Sequence, residues 1–227
     1  MKKKSAFLLT ILAAVLWTVM VAPVLANGAG NGITNSPHDF SSEAWNDRGE
    51  ICRVCHVPHD HGRTRGLEGL LWNHALSTAS YTMYSSSTLD GAADAQPTGI
   101  TKMCLGCHDG TVAIDDFDNH NGGTNFIGTG DQIPQLSDGG NPDLRATHPI
   151  SIVYDTADTG LHPTSNTMGG SGTIADVLEA GKVQCHSCHD VHDAPGEAVA
   201  NTHLLRVAQT TSQGGNPSGL CLTCHDK

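Results

Sequence analysis

The sequence predicts a mostly irregular fold, with short α-helices and minimal β structure, organised around bound prosthetic groups instead of a side-chain core. That expectation rests on a composition poor in core formers, on a cysteine–histidine motif that occurs four times, and on the scarcity of periodic segments. Residues 27–227 hold 14 Leu, 9 Ile, 9 Val and 3 Phe among 201 positions, 35 in all or about 17%. A chain with that fraction and a high net charge does not bury enough apolar surface to offset its ordering entropy. Something other than side chains must supply the core.

The motif says what supplies it. Cys-x-x-Cys-His occurs at Cys52/Cys55/His56, Cys104/Cys107/His108, Cys185/Cys188/His189 and Cys221/Cys224/His225, which uses all eight cysteines. This is the attachment pattern of a c-type haem. The two thiols add across the haem vinyl groups and the adjacent histidine becomes an axial iron ligand. Structural zinc and a disulfide framework both explain paired cysteines, but neither requires a histidine after each pair. From this composition the motif should arise roughly 0.02 times by chance. Four haem c groups, large, flat and mostly apolar, are expected to serve as the core of a chain that is unfolded without them.

Taken in order, residues 1–26 read as a signal peptide. Lys2, Lys3 and Lys4 precede a long apolar run, and Val24-Leu25-Ala26 offers a small residue for cleavage. An uncleaved anchor is the alternative, since the run is near the lower limit for spanning a membrane. Export suits haem attachment, which takes place outside the cytoplasm in bacteria. Removing the three lysines takes the formal charge from −11 to −14, which disfavours nucleic acid and anionic membranes as partners. Each motif is expected to form a helical turn. Residues 173–180 are the best helix, with Thr173 as N-cap, Ile174, Val177 and Leu178 on one face, and Gly181 as the stop. Residues 80–84 suggest a short strand, and the tracts 122–130, 138–143 and 213–218 read as turn-rich loops.

The motifs alternate in kind. Cys52 and Cys185 begin Cys-x-x-Cys-His-x-x-His, which adds His59 and His192; Cys104 and Cys221 begin Cys-Leu-x-Cys-His-Asp. A histidine beside a proline precedes each first-form motif, His38 in one half and His148 in the other. This repetition predicts two dihaem modules, residues 27–137 and 138–227. It also selects His38, His59, His148 and His192 as second axial ligands. His74 is a further candidate without a counterpart in the repeat. A histidine three residues after the proximal one lies on the same helical face, so His59 and His192 should reach a neighbouring haem. His61, His120, His162 and His203 sit in polar sequence and His186 lies inside a motif; none of them is expected to ligate. Met83, Met103 and Met168 do not recur across the repeat, so bis-histidine ligation is the better reading.

Several stretches together resemble a family: Ser36 to Phe40, Ile51 to His59, Leu71-Trp72-Asn73-His74, Tyr81 to Ser86, Cys104 to Val112, His148 to Ser151 and Cys185 to His192. They are similar to the OmcE-type tetrahaem cytochromes of the doubled Cys-x-x-Cys-His group. The resemblance covers most of residues 27–227. It implies closely spaced bis-histidine haems and a head-to-tail extracellular filament that conducts electrons, in which a subunit donates a distal histidine to its neighbour. His38, on the segment before the first motif, is the candidate donor.

An electron carrier needs irons whose ligands barely rearrange, and the histidine count suits one. The expected function is therefore electron transfer without enzymatic activity, with other redox cytochromes or extracellular acceptors as partners. The alternatives are a soluble periplasmic carrier and a multihaem reductase, which needs an open iron. The acidic residues 109–118 are either a calcium loop or, in the blander reading, a solvated one.

Overall fold

The computed structural model describes residues 32–58, 70–119, 122–133, 142–200 and 202–227. The signal segment, His59 and the boundary expected at residue 137 lie outside these residues. Among the described residues the chain is mostly coil, with three short α-helices and one two-stranded sheet. The irregular fold class therefore stands at that coarse level. No helix among them is long and apolar enough to cross a membrane.

Helix α1, Gly99–His108, is the longest element and carries the second motif on its last turn. Its N-terminus has no local side-chain cap; instead the Glu179 carboxylate accepts the Ile100 N–H at 2.8 Å. A carboxylate suits the positive end of a helix. Gly106 is glycine for a steric reason, because a Cβ there would stand 2.8 Å from the Ala75 carbonyl oxygen. Helices α2, Cys185–Cys188, and α3, Gly219–Cys224, carry the third and fourth motifs. The first motif makes a single turn, closed by His56 N–H donating to the Cys52 carbonyl at 2.7 Å. His189 and His225 close onto Cys185 and Cys221 in the same way, at 3.1 and 2.9 Å. All four motifs thus fold as one repeated helical turn.

Two of the expected elements are corrected. Residues 173–180 form only a 3₁₀ turn, Ile174–Val177, and Leu178 is already extended. Thr173 does cap it, in a reciprocal box with Asp176. The helix stops early because a neighbour takes a carbonyl it would need to continue: Ser187 Oγ donates to the Val177 carbonyl at 2.6 Å, while Ala175 N–H, a first-turn donor with no partner inside the helix, goes to the Thr164 carbonyl at 2.9 Å. Residues 80–84 do not form a strand either. The Gln96 side-chain amide satisfies both backbone groups of Tyr81, leaving only one isolated bridge, Thr82 to Asp143. The sheet pairs strands β1, Ile152–Val153, and β2, Lys182–Val183, antiparallel, with Ile152 opposite Val183.

The side-chain core is small: Tyr81, Leu105 and Leu144, flanked by Ala79, Met83 and Ile150. The two halves expected from the repeat are interlocked. Cys185 N–H donates to Thr101 Oγ1 at 3.0 Å, Gly32 N–H to the Asp193 carbonyl at 3.0 Å, and Lys182 pairs with Asp94 at 2.7 Å. That ion pair gives a modest, pH-dependent contribution. Lys182 and Thr98 hold the Asp94 carboxyl below its ordinary 3.8. Its stabilisation is therefore present above that value and lost as the pH falls through the lowered one. Both side chains are partly exposed, so Asp94→Asn should cost about 0.5–1 kcal/mol at pH 7, read from denaturant midpoints. The cost should shrink as the pH falls below 3.8 and through the lowered value.

Candidate haem-binding sites

Each first-form motif is clasped by a segment further along the chain, and the two clasps match bond for bond. The carbonyl 14 residues after the motif histidine accepts from its ring: Leu70 O lies 2.6 Å from His56 Nδ1, and His203 O lies 2.6 Å from His189 Nδ1. Backbone bridges join His56 to Trp72 and His189 to Leu205. Asn73 N–H donates to the Cys55 carbonyl at 2.8 Å, and Arg206 N–H to the Cys188 carbonyl at 2.9 Å. Leu71 and Leu204 take the left-handed backbone at φ 50° and 56°, a conformation that side chains resist and that turns each clasp beneath its motif. These carbonyl contacts were not legible in the sequence, because a backbone acceptor needs no particular side chain. Its only trace is the equal spacing of residues as unlike as Asn73 and Arg206.

Six of the candidate ligands face each other in pairs. The ring centres of His38 and His108 are 6.0 Å apart, those of His148 and His225 6.2 Å, and those of His56 and His192 6.3 Å. Two imidazoles bound on opposite sides of one metal, with bonds of about 2 Å, stand roughly 6 Å apart centre to centre. Each pair joins one motif histidine to one outlying histidine. In five of the candidate ligands Nδ1 faces a carbonyl, and in four of these no second carbonyl among the described residues stands against Nε2: His56 and His189 in their clasps, His108 at Asp131 (3.1 Å) and His148 at Pro149 (2.8 Å). An Nδ1–H held this way leaves Nε2 as the free lone pair, the usual arrangement of a metal-bound histidine. Burial, with His108 and His192 close by, pushes His38 down to about 4, which keeps its ring neutral and able to ligate. Burial also lowers His189 and His225. Two buried nitrogens without a protein partner, His38 Nδ1 and Trp72 Nε1, lie on rings that flank these pairs.

The remaining candidates are placed differently. Among the described residues no ring faces His189 in this manner, and His59 lies outside them. His74 is buried with Nδ1 2.7 Å from the Ala75 carbonyl and Nε2 3.1 Å from the Ala113 carbonyl, so a backbone oxygen already stands against each ring nitrogen. His38 lies beside His108 of its own chain.

All eight cysteines are free thiols, which removes a disulfide framework. They follow one another through the fold in motif order. Cys55 lies beside Cys107, Cys104 hydrogen-bonds with Cys185, and Cys188 lies beside Cys224. Burial pushes the Cys55 thiol up to about 11 and Cys188, with Cys224 near it, up to about 12. The shared contact raises Cys104 and lowers Cys185. At the fourth motif a cavity of about 370 Å³ opens between His148, His225, Cys221 and Cys224, walled by Ile152, Met168, Ile174 and Val177 among others. An apolar cleft lined by two histidines and two thiols has the side-chain types that would hold a haem. Among the described residues no three His, Cys, Asp or Glu side chains gather as a metal-ion cage. A haem needs only two protein ligands, since the porphyrin supplies the other four. The acidic loop is likewise no calcium cage: Asp109 accepts from Tyr81 and Thr111, and Asp115 from Thr124 and Asn125.

A scan against protein-family models finds no match, and a search of curated proteins finds no relative.

Proposed function

We propose that the chain is a tetrahaem c-type cytochrome that carries electrons along closely spaced bis-histidine haems and has no enzymatic role. The observation that carries this reading is the set of three histidine pairs at the separation of two axial imidazoles. In this assignment His108 and His38 hold one iron, His225 and His148 another, and His56 and His192 a third. His189 holds the fourth with His59, on the logic of the repeat, and His74 is left out of the ligand set. The haems supply one-electron exchange between ferric and ferrous iron. Each iron would be held by two of these histidines, and the carbonyl acceptors at His56, His108, His148 and His189 orient their rings, so little would have to move when charge changes. The order in which the cysteines follow one another gives the order of the haems along the molecule.

The resemblance to OmcE-type cytochromes supports a homopolymeric extracellular filament as the working form, exchanging electrons with other cytochromes or extracellular acceptors. A soluble periplasmic carrier is the simpler alternative. Negative-stain microscopy of the secreted protein separates the two. The mass of the exported protein should exceed that of its polypeptide by four haem groups; a smaller excess, or bound zinc, would sink the reading. A reductase, which would need an open iron, is the other alternative. The reduced protein is expected to leave carbon monoxide unbound; binding by one haem would favour the reductase.

A further inference from the structure

We propose that Asn73 and Arg206 are equivalent positioning residues, each holding a clasp that orients the iron-ligating ring of His56 or His189. The proposal rests on reading the motifs as haem sites. Asn73 is fully buried and its Nδ2 donates to the Arg53 carbonyl at 2.6 Å, 20 residues away. Arg206 does the same with Nε, donating to the His186 carbonyl at 2.8 Å, also 20 residues away. Arg53 and His186 occupy the same place, the residue after the first cysteine of each motif. Each side chain thus ties the clasp to the start of the motif turn while its own backbone N–H ties it to the second cysteine. The carbonyl that receives Nδ1–H lies three residues before the tying residue in each clasp, at Leu70 and at His203. One task is done by an amide in one half and by a guanidinium in the other.

The carbonyl acceptor makes the imidazole a stronger donor to iron and so favours the ferric state. Loosening the clasp should therefore raise the reduction potential of that one haem. At Arg206 a second effect has the opposite sign, since removing a cation beside His189 favours the ferric state. The test must separate the two.

In the holoprotein, Asn73→Ala should shift one haem by about tenfold in its ferric–ferrous preference, about 59 mV for a one-electron couple, and change one set of low-spin EPR g-values. Arg206→Asn and Arg206→Ala lose the same charge, but only the first restores the side-chain type that performs the task at position 73. The Ala variant should therefore lie above the Asn variant by a similar shift. Unchanged potentials and g-values in Asn73→Ala, or identical values for the two Arg206 variants, would overturn the proposal. If Asn73→Ala fails to mature, the Arg206 pair decides alone. A pyridine haemochrome count other than four in the unmodified protein would instead undo the haem reading itself.

Discussion

In a His192→Ala protein, one haem of the four should become high-spin and bind carbon monoxide, and it should be the haem at Cys52, Cys55 and His56. The neighbour in sequence, at His189, should be unaffected. The geometry behind this is the near-parallel placement of the His56 and His192 rings, 26° apart in tilt and 6.3 Å between centres. His192 reaches across because the chain leaves its helix at His189, which is extended at φ −115° and ψ 134°. The buried Asp190 carboxylate then takes the N–H groups of His192 and Ala194 and turns the segment outward. Combining His192→Ala with Cys52→Ala and Cys55→Ala, which deletes that haem, should abolish the high-spin signal. If the signal persists, His192 serves another iron and the assignment fails.

The largest effect on stability is expected from removing the fourth attachment site. Cys221→Ala with Cys224→Ala would leave the cavity of about 370 Å³ unfilled. Its apolar walls would then face water, which is unfavourable, and a whole domain is stable by only about 5–15 kcal/mol. The emptied region should therefore unfold instead of persisting as a void. Residues 150–162 and 219–227, which meet through Tyr154 Oη on the Cys224 carbonyl and His162 N–H on the same oxygen, should become protease-sensitive. Unchanged hydrogen-exchange protection there would show that the haem is no part of that core.

The cysteine and histidine spacing was legible because it is carried by fixed residue types that recur four times. The helical turns follow from it, since Cys-x-x-Cys-His closes a single α-turn. Thr173 was legible as a cap because its partner Asp176 is local, but the length of that helix was not. It was ended by Ser187, whose hydroxyl takes the Val177 carbonyl from beyond the segment. The same limit hid the role of Gln96, whose amide took the place of a strand partner for Tyr81. His74 looked like a ligand by residue type alone; two carbonyls that no sequence pattern marks occupy its nitrogens. The repeat selected the outlying histidines, yet it could not say that the halves would interlock through Thr101, Glu179 and Asp94.

The facing of His56 and His192 also bears on how such a molecule is made. On the proposed assignment, the first haem to be attached as the polypeptide emerges finds its second ligand far downstream. Until the later half has been synthesised, exported and loaded with its own haems, that iron has an open coordination position. A maturing molecule therefore passes through a peroxide-sensitive stage that the finished one lacks. Slowed secretion should damage the earliest haem first.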